Sequence, residues 1–451
     1  MIDLERKAYG DLLEWKNRPD HGTLEVSGAR QVGKTYLVNR FADREYKNKV
    51  YINLLDMGGE LFLEHYQDIR REMKAGSFTG NPIQELLRRY QPGFVDGPDT
   101  IVIIDEIQES AEIYNRIREF TRNLKSDFIV TGSYLGRILN KEFRYSSGDL
   151  ASLEIATLSF EEFLKAAGKE ELFQSLDIFG GSDAAVYGEL SDYYQAYCRI
   201  GGYPAVVLRY LNGSSVEECR EGLVSIIRLF TNESRRYFED ILDYETYGNL
   251  FCGIARVLVK EKKGLSEDSF SEELQAIVVK DYSSNVTKAS VNRAMDWLFS
   301  VGIIGFAGKI TNCEILNFKA KARCYFMDVG LASYFLRQIG CSEADIAGTV
   351  SENFVYLEIR RRMGNHASLA FEMPAFATWQ NGEVDFYTKS LISGKTCAIE
   401  VKAGKNSGKT AMEILEKGKV DHLLFAKGGT HGGTADKIDT IPIYGISKYD
   451  F

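Results

Sequence analysis

Residues 28–35, GARQVGKT, constrain this chain more than any other stretch. They have the spacing GxxxxGK[ST] and lie between a short strand-like run, residues 24–27, and a helix-periodic segment bearing Tyr36, Leu37, Val38 and Phe41. In such a turn the glycines let backbone N–H groups face inward around phosphate oxygens, and the following helix adds its positive dipole end. The reading places Gly28, Ala29, Arg30, Gln31, Val32, Gly33, Lys34, Thr35 and Tyr36 around a nucleotide. Lys34 is expected to reach the β- and γ-phosphates and Thr35 to ligate Mg2+, so ATP and Mg2+ are the expected ligand and metal.

A second run, TIVIIDE at residues 100–106, is continuously apolar and ends in two carboxylates. Continuous apolarity marks a central parallel strand covered on both faces, and its carboxyl end is where open α/β sheets place ligands. Asp105 is expected to hold the Mg2+ shell through water. Glu106, one residue on, points elsewhere and is expected to polarise an attacking water. A helix over 111–124 leads to a further buried strand, 127–133, ending in small hydroxyls. Thr131 and Ser133 are equally eligible to contact the γ-phosphate or the water.

At 451 residues the chain is long enough for roughly three domains, and at 44% hydrophobic and 26% charged residues its composition is globular. No run approaches the ~18 apolar residues that span a bilayer, and the charged first twenty residues lack an apolar signal core. The seven cysteines form no CxxC pair, a pattern of reduced thiols, so a cytoplasmic location is expected. The net charge of −9 argues against a nonspecific nucleic-acid coat protein.

The runs IVIIDEIQE, FIVTGS and LSFEEFL together resemble the AAA-type ATPase domain of a large prokaryotic group, similar to archaeal-type ATPases and to STAND signalling NTPases. In that group a C-terminal region of restriction-endonuclease-like fold follows the P-loop domain. The resemblance implies a helical lid whose Gly-x-Pro lies near the adenine, which falls here on Gly202 and Pro204. The family often carries an arginine after the glycine preceding LSFEEFL's strand. Here that slot reads Gly148-Asp149, leaving Arg137 and Arg144 as nearby substitutes.

Three helical stretches and short strands follow between residues 247 and 336. Asn285, Val286 and Thr287 are expected to cap a helix over 288–299, and a hairpin starts at Gly302, an order that resembles a winged helix-turn-helix exposing Lys288, Asn292 and Arg293. In the last 110 residues, strands are expected at 376–379, 382–386 and 398–402. Alternate strand residues share a face, so Glu400 and Lys402 project together, beside Asp385 if the strands pair. Two carboxylates with a lysine are the means to hold Mg2+ and stabilise a developing phosphorane charge. This resembles the D…(D/E)xK signature of restriction-endonuclease-like folds, with Glu352 or Glu358 as the helix acid. Residues 386–430 hold 8 lysines against 4 acids, a basic stretch suited to phosphates.

The expected architecture is α/β: a P-loop NTPase parallel-sheet domain (1–170), a helical lid (171–246), a winged-helix-like segment (247–336) and a restriction-endonuclease-like α/β domain (337–451). Lys34 and Glu106 are the expected catalytic residues of the ATPase. Asp385, Glu400 and Lys402 are those of the C-terminal site, with Asp385 and Glu400 as metal ligands. The expected partners are ATP, DNA through the winged-helix and C-terminal regions, and a second copy of the chain; no membrane partner is expected. A nucleotide-gated signalling or scaffold ATPase, whose C-terminal domain only binds partners, is the alternative.

Overall fold

Burial without alternation over six residues, Thr100–Asp105, requires cover on both faces of a sheet. In the computed structural model this strand is the third of a five-stranded sheet: β1 (Thr23–Ser27), β2 (Asn48–Asn53), β3 (Thr100–Asp105), β4 (Asp127–Thr131) and β5 (Leu150–Glu154), ordered β2-β3-β4-β1-β5. All its pairings are parallel, so the carboxyl ends of all the strands fall on one edge. The structure describes residues 2–132, 150–238, 244–262, 270–281, 287–317, 323–363, 369–371, 373–380, 382–402 and 408–451.

On one face, Val50, Ile52, Val102, Ile104 and Val130 pack with Phe62, Leu86, Leu87 and Phe120 in a single apolar cluster. Each such side chain contributes about 1.5–3 kcal/mol on burial. The helices that supply them begin where the sequence supplies caps. Asp56 accepts from Gly59 N at 2.9 Å to start Met57–Lys74. Asn81 accepts from Ile83 N and Gln84 N, with Pro82 at the first helical position of Pro82–Tyr90. The helix expected over 111–124 is instead two, Ala111–Tyr114 and Ile117–Asn123.

The chain forms two units: Arg6–Ala156 with Ser300–Gly302, and Met1–Glu5, Thr157–Phe299 and Ile303–Phe451. Residues 157–170, grouped with the ATPase domain on sequence, therefore belong to the second unit. There Ser159 and Glu162 form a reciprocal capping box that starts the helix Phe160–Ala166. The helices Ala184–Ile200, Pro204–Leu211 and Val216–Phe238 follow.

The second unit also holds a nine-stranded sheet. Its strands are β6 (Ile304–Thr311), β7 (Ile315–Asn317), β8 (Arg323–Phe326), β9 (Ala375–Trp379), β10 (Gly382–Lys389), β11 (Thr396–Lys402), β12 (His422–Lys427), β13 (Gly433–Ala435) and β14 (Ile438–Pro442). The order is β13-β14-β12-β11-β10-β9-β6-β7, with β8 paired to β6. The parallel pairing of β6 with β9, Gly308↔Ala375 through Thr311↔Thr378, joins residues 247–336 to residues 337–451 in one sheet. Before β6, Thr287 Oγ1 accepts from Ser290 N at 3.1 Å and caps Lys288–Ser300, where Val291, Met295 and Leu298 are buried while Phe299 is exposed. Asn285 and Val286 lie outside the described residues.

One buried carboxylate ties the helices to the sheet. Asp328, after β8, accepts from Gly330 N (2.9 Å) and Leu331 N (3.1 Å), capping Val329–Gln338, and from Gly202 N (2.8 Å). The approach needs glycines: a Cβ at Gly201 would lie 2.1 Å from Asp328 Oδ1, and one at Gly202 would lie 2.1 Å from Leu158 O. Burial pushes the Asp328 carboxyl up, against the pull of these N–H donors. Asp328→Ala is expected to destabilise the unit by about 3 kcal/mol, because three buried N–H groups lose their acceptor. Asp328→Asn, which keeps one acceptor oxygen, is expected to recover part of the loss. Chemical denaturation checks this, and an unchanged midpoint for Asp328→Ala would contradict the bridging role.

Candidate functional site

β1 leaves its sheet through Gly28, at φ +139°. Ile155 N donates to Ser27 O at 2.8 Å, and a Cβ at Gly28 would lie 2.1 Å from Ile155 O, so the turn admits only glycine. The loop passes through left-handed Gln31 (φ 62°) and Gly33 (φ 93°) before the helix Lys34–Glu45. A left-handed non-glycine costs on the order of 1 kcal/mol and persists where the surroundings enforce it. Ala29 and Val32 are buried, and Tyr36 is exposed on the first helical turn. Arg30 is half-buried.

Lys34 Nζ donates to Gly28 O and Ala29 O, each at 2.9 Å, so its ammonium lies within the loop it follows. Thr35 Oγ1 donates to Asp105 Oδ2 at 2.8 Å. The same oxygen accepts from Tyr51 OH at 2.9 Å, and Asp105 Oδ1 accepts from Glu106 N at 2.9 Å. Burial first, then the Asp105 charge, pushes the Tyr51 hydroxyl up, so it stays protonated and a donor. Tyr51 was not singled out from sequence; its signal is its place on β2, beside β3, paired with Ile103.

Glu106 is itself left-handed (φ 54°, ψ 42°). Gln108 Nε2 donates to its carboxylate. A Cβ at Gly132 would lie 2.2 Å from Gln108 Oε1, so the end of β4 closes over this amide. Thr131, at the end of β4, pairs with Val26 of the neighbouring β1. Its hydroxyl is buried and has no hydrogen-bond partner among the described residues. Ser133, Arg137, Arg144, Gly148 and Asp149 lie outside the described residues.

These groups fit Mg2+ and a triphosphate. The Thr35–Asp105 pair supplies hard oxygen donors, the glycine turn supplies a cradle that a Cβ would fill, and Thr131 supplies a hydroxyl with no other use. Mg2+ held by Thr35 and Asp105 would neutralise phosphate charge.

In the second unit, β10 and β11 pair antiparallel through Phe386↔Ile399 and Tyr387↔Ala398. An irregularity between Val384 and Tyr387 re-aims Asp385, whose Oδ2 accepts from Val401 N at 2.7 Å. Lys402 Nζ pairs with Glu400 Oε2 and stands 3.9 Å from Asp385 Oδ2. The three residues expected together are therefore brought together, with Glu400 buried. The helix acids are engaged elsewhere. Glu352 accepts from Tyr325 OH at 2.8 Å and faces Arg323 at 3.5 Å, and Glu358 pairs with Arg361. Among the described residues, no three His, Cys, Asp or Glu side chains converge as a metal cluster. Gly202 and Pro204 lie in the second unit, Gly202 bonded to Asp328 and Leu158 and Pro204 opening a helix. No helix among the described residues is long and apolar enough to cross a membrane.

Residues 20–164 match a family model, AAA_14, described as an AAA domain. Together with the loop, the strand order and the Asp105–Thr35 pair, this defines a P-loop ATPase domain of the AAA type. Among solved structures, the chain is similar to the Walker-type ATPase PABY2304 of Pyrococcus abyssi (14% identity, 75% of this chain and 96% of that one, TM-score 0.45). It is also similar to the STAND protein PH0952 of Pyrococcus horikoshii, which has a tetratricopeptide repeat sensor (15% identity, 80% and 46%, TM-score 0.29). A third is the Aeropyrum pernix ORC1 protein in complex with DNA (13% identity, 68% and 86%, TM-score 0.29). No curated protein matches the sequence.

Two substitutions test the site. Lys34→Ala is expected to remove most ATP affinity, since Lys34 is the side-chain cation the motif places on the β/γ-phosphates. Unchanged binding by the folded variant, measured calorimetrically, would sink the assignment. Thr131→Val is expected to leave the ligand-free protein as stable or up to ~1 kcal/mol more stable, because it removes an unpaired buried hydroxyl. The same change should slow ATP turnover about tenfold or more. A stability loss with normal turnover would make Thr131 a structural hydroxyl only.

Proposed function

We propose that this chain is a Mg2+-dependent ATPase whose nucleotide state governs a C-terminal nuclease-like module acting on nucleic acid. The observation that carries the second half is the convergence of Asp385, Glu400 and Lys402 on the neighbouring strands β10 and β11.

In the ATPase unit, the loop N–H groups and Lys34 bind the phosphates, and Thr35 and Asp105 hold the metal. Glu106 takes the proton of the attacking water once its carboxylate leaves Gln108. Thr131 orients that water or the γ-phosphate. In the C-terminal site Asp385 and Glu400 hold a divalent ion, and Lys402 stabilises the charge that develops on a scissile phosphate. Support for a nucleic-acid partner comes from the lysine excess over residues 386–430 and from exposed Arg293 on the helix Lys288–Ser300, whose Lys288 is shared with Glu272 at 2.6 Å. The winged-helix and restriction-endonuclease-like descriptions, a prokaryotic cytoplasmic setting and self-association are parts of this same proposal.

One observation favours the second reading, a nucleotide-gated scaffold whose C-terminal domain only binds partners. The Lys402 ammonium already neutralises Glu400, and both candidate helix acids are spent on Arg323 and Arg361. The deciding experiment measures cleavage of plasmid, branched and single-stranded DNA, and of RNA, with Mg2+ or Mn2+. The nuclease reading expects metal-dependent cleavage that Asp385→Ala abolishes while ATP turnover persists. ATP-driven change of oligomeric state without any cleavage would overturn it in favour of the scaffold.

A further inference from the structure

Arg6 lies outside every motif, at the first residue of the ATPase unit, yet its guanidinium reaches the phosphate loop. Its Nη1 donates to Val32 O at 2.9 Å, and its Nη2 donates to Ala156 O at 2.6 Å. Ala156 follows Ile155, whose N–H bonds Ser27 O and whose carbonyl faces Gly28. One side chain thus ties the tip of the loop to the strand end that shapes its beginning.

The consequence lies in the Val32–Gly33 peptide. In a planar trans peptide the carbonyl of one residue and the N–H of the next point in opposite directions. Holding Val32 O against Arg6 therefore aims Gly33 N–H to the other side. That group immediately precedes Lys34 and the helix N-terminus, where the phosphates bind. Flipping this peptide requires rotation about the Val32 ψ and the Gly33 φ. Gly33, already at φ 93°, offers little steric resistance to that rotation. A glycine there suits the loop and also leaves the peptide free to turn its carbonyl toward the phosphates, where it would repel them.

We propose that Arg6 is a positioning residue of the nucleotide site: it locks the Val32–Gly33 peptide with its N–H toward the phosphate. The proposal rests on the nucleotide-binding reading above. It gives Arg6 no contact with ATP and assigns it phosphate affinity through backbone orientation. Two forked donors suit the two carbonyls, which a lysine with one ammonium cannot reproduce in the same geometry.

The test uses the full chain and MgADP as the probe. Val-Gly occurs three times, at 32–33, 301–302 and 329–330, so labelling valine carbonyl with 13C and glycine nitrogen with 15N isolates the Gly33 amide among few signals. In the parent protein, MgADP should shift the Gly33 amide proton downfield as it bonds a phosphate oxygen. Arg6→Ala should bind MgADP at least about tenfold more weakly, the scale of one lost charge-assisted hydrogen bond, and lose the downfield shift even at saturation. Arg6→Lys should fall between the two in both affinity and shift. A purely structural role would lower the ligand-free melting temperature and leave the shift of the saturated protein intact, which overturns the proposal. Parental affinity and shift in Arg6→Ala overturn it as well. If Arg6→Ala does not fold, Arg6→Lys decides, and parental values in that variant sink the lock. Failure of the unmutated chain to bind MgADP would instead remove the nucleotide reading on which the lock depends.

Discussion

The exit of β1 into the phosphate loop is held against β5, and the rest of the ATPase site depends on that hold. Ile155 bonds the last residue of β1 and covers Gly28 so closely that no side chain fits. The turn is thereby fixed at its start, and Arg6 fixes it near its end. Between those points the backbone has few alternatives, and Lys34 and Thr35 leave the helix N-terminus in set directions. β4 lies between β1 and β3 and separates them by about 9.5 Å, two strand spacings. The loop and the helix start that follow β1 carry Thr35 across that gap to within 2.8 Å of Asp105, and Thr131 ends the strand between. Three strand ends and one loop therefore bring together a glycine cradle, a hydrogen-bonded pair of oxygen donors and a hydroxyl unpaired among the described residues on one edge of the sheet.

The second unit is organised by buried carboxylates in other roles. Asp328 accepts from the backbone of both the Gly201–Gly202 junction and the helix Val329–Gln338, which explains the glycines without reference to a ligand. Glu352 and Glu358 hold arginines, whereas Glu400 and Asp385 share Lys402. The distinction matters for function. Acids spent on arginines stabilise the fold, while Asp385 and Glu400 share a single lysine ammonium, which is why the proposed divalent-ion site falls on them.

The residues proposed for the nucleotide site could be picked out from the sequence because they sit in contiguous runs. GARQVGKT and TIVIIDE each carry their own strand, turn and ligand residues, and local periodicity suffices to place them. The pairing of Asp385 with Glu400 and Lys402 was legible from alternation along two adjacent strands. The order of the strands was not, because which parallel strands neighbour one another is a property of packing. Nor was the junction of β6 with β9, whose partners lie more than sixty residues apart and share no turn. Tyr51, Gln108, Asp328 and Arg6 were missed for a common reason. Tyr51, Asp328 and Arg6 act through hydrogen bonds to residues far along the chain, and Gln108 through a side-chain contact set by the turn after β3, and such contacts leave no spacing pattern. The break in the helix after Tyr114 also lacks a glycine or proline to announce it.

Hydrolysis is proposed to rest on one carboxylate, Glu106, which follows Asp105 in a left-handed backbone conformation. The most direct measurement compares MgATP affinity and turnover in the full chain before and after Glu106→Gln, which keeps the size and hydrogen bonding of the side chain but removes its basicity. Unchanged affinity is expected, with turnover reduced roughly 100-fold, the range of a lost general base. Parental turnover in that variant, with MgATP bound as before, would show that the carboxylate is no more than the end of a strand and would contradict the assignment.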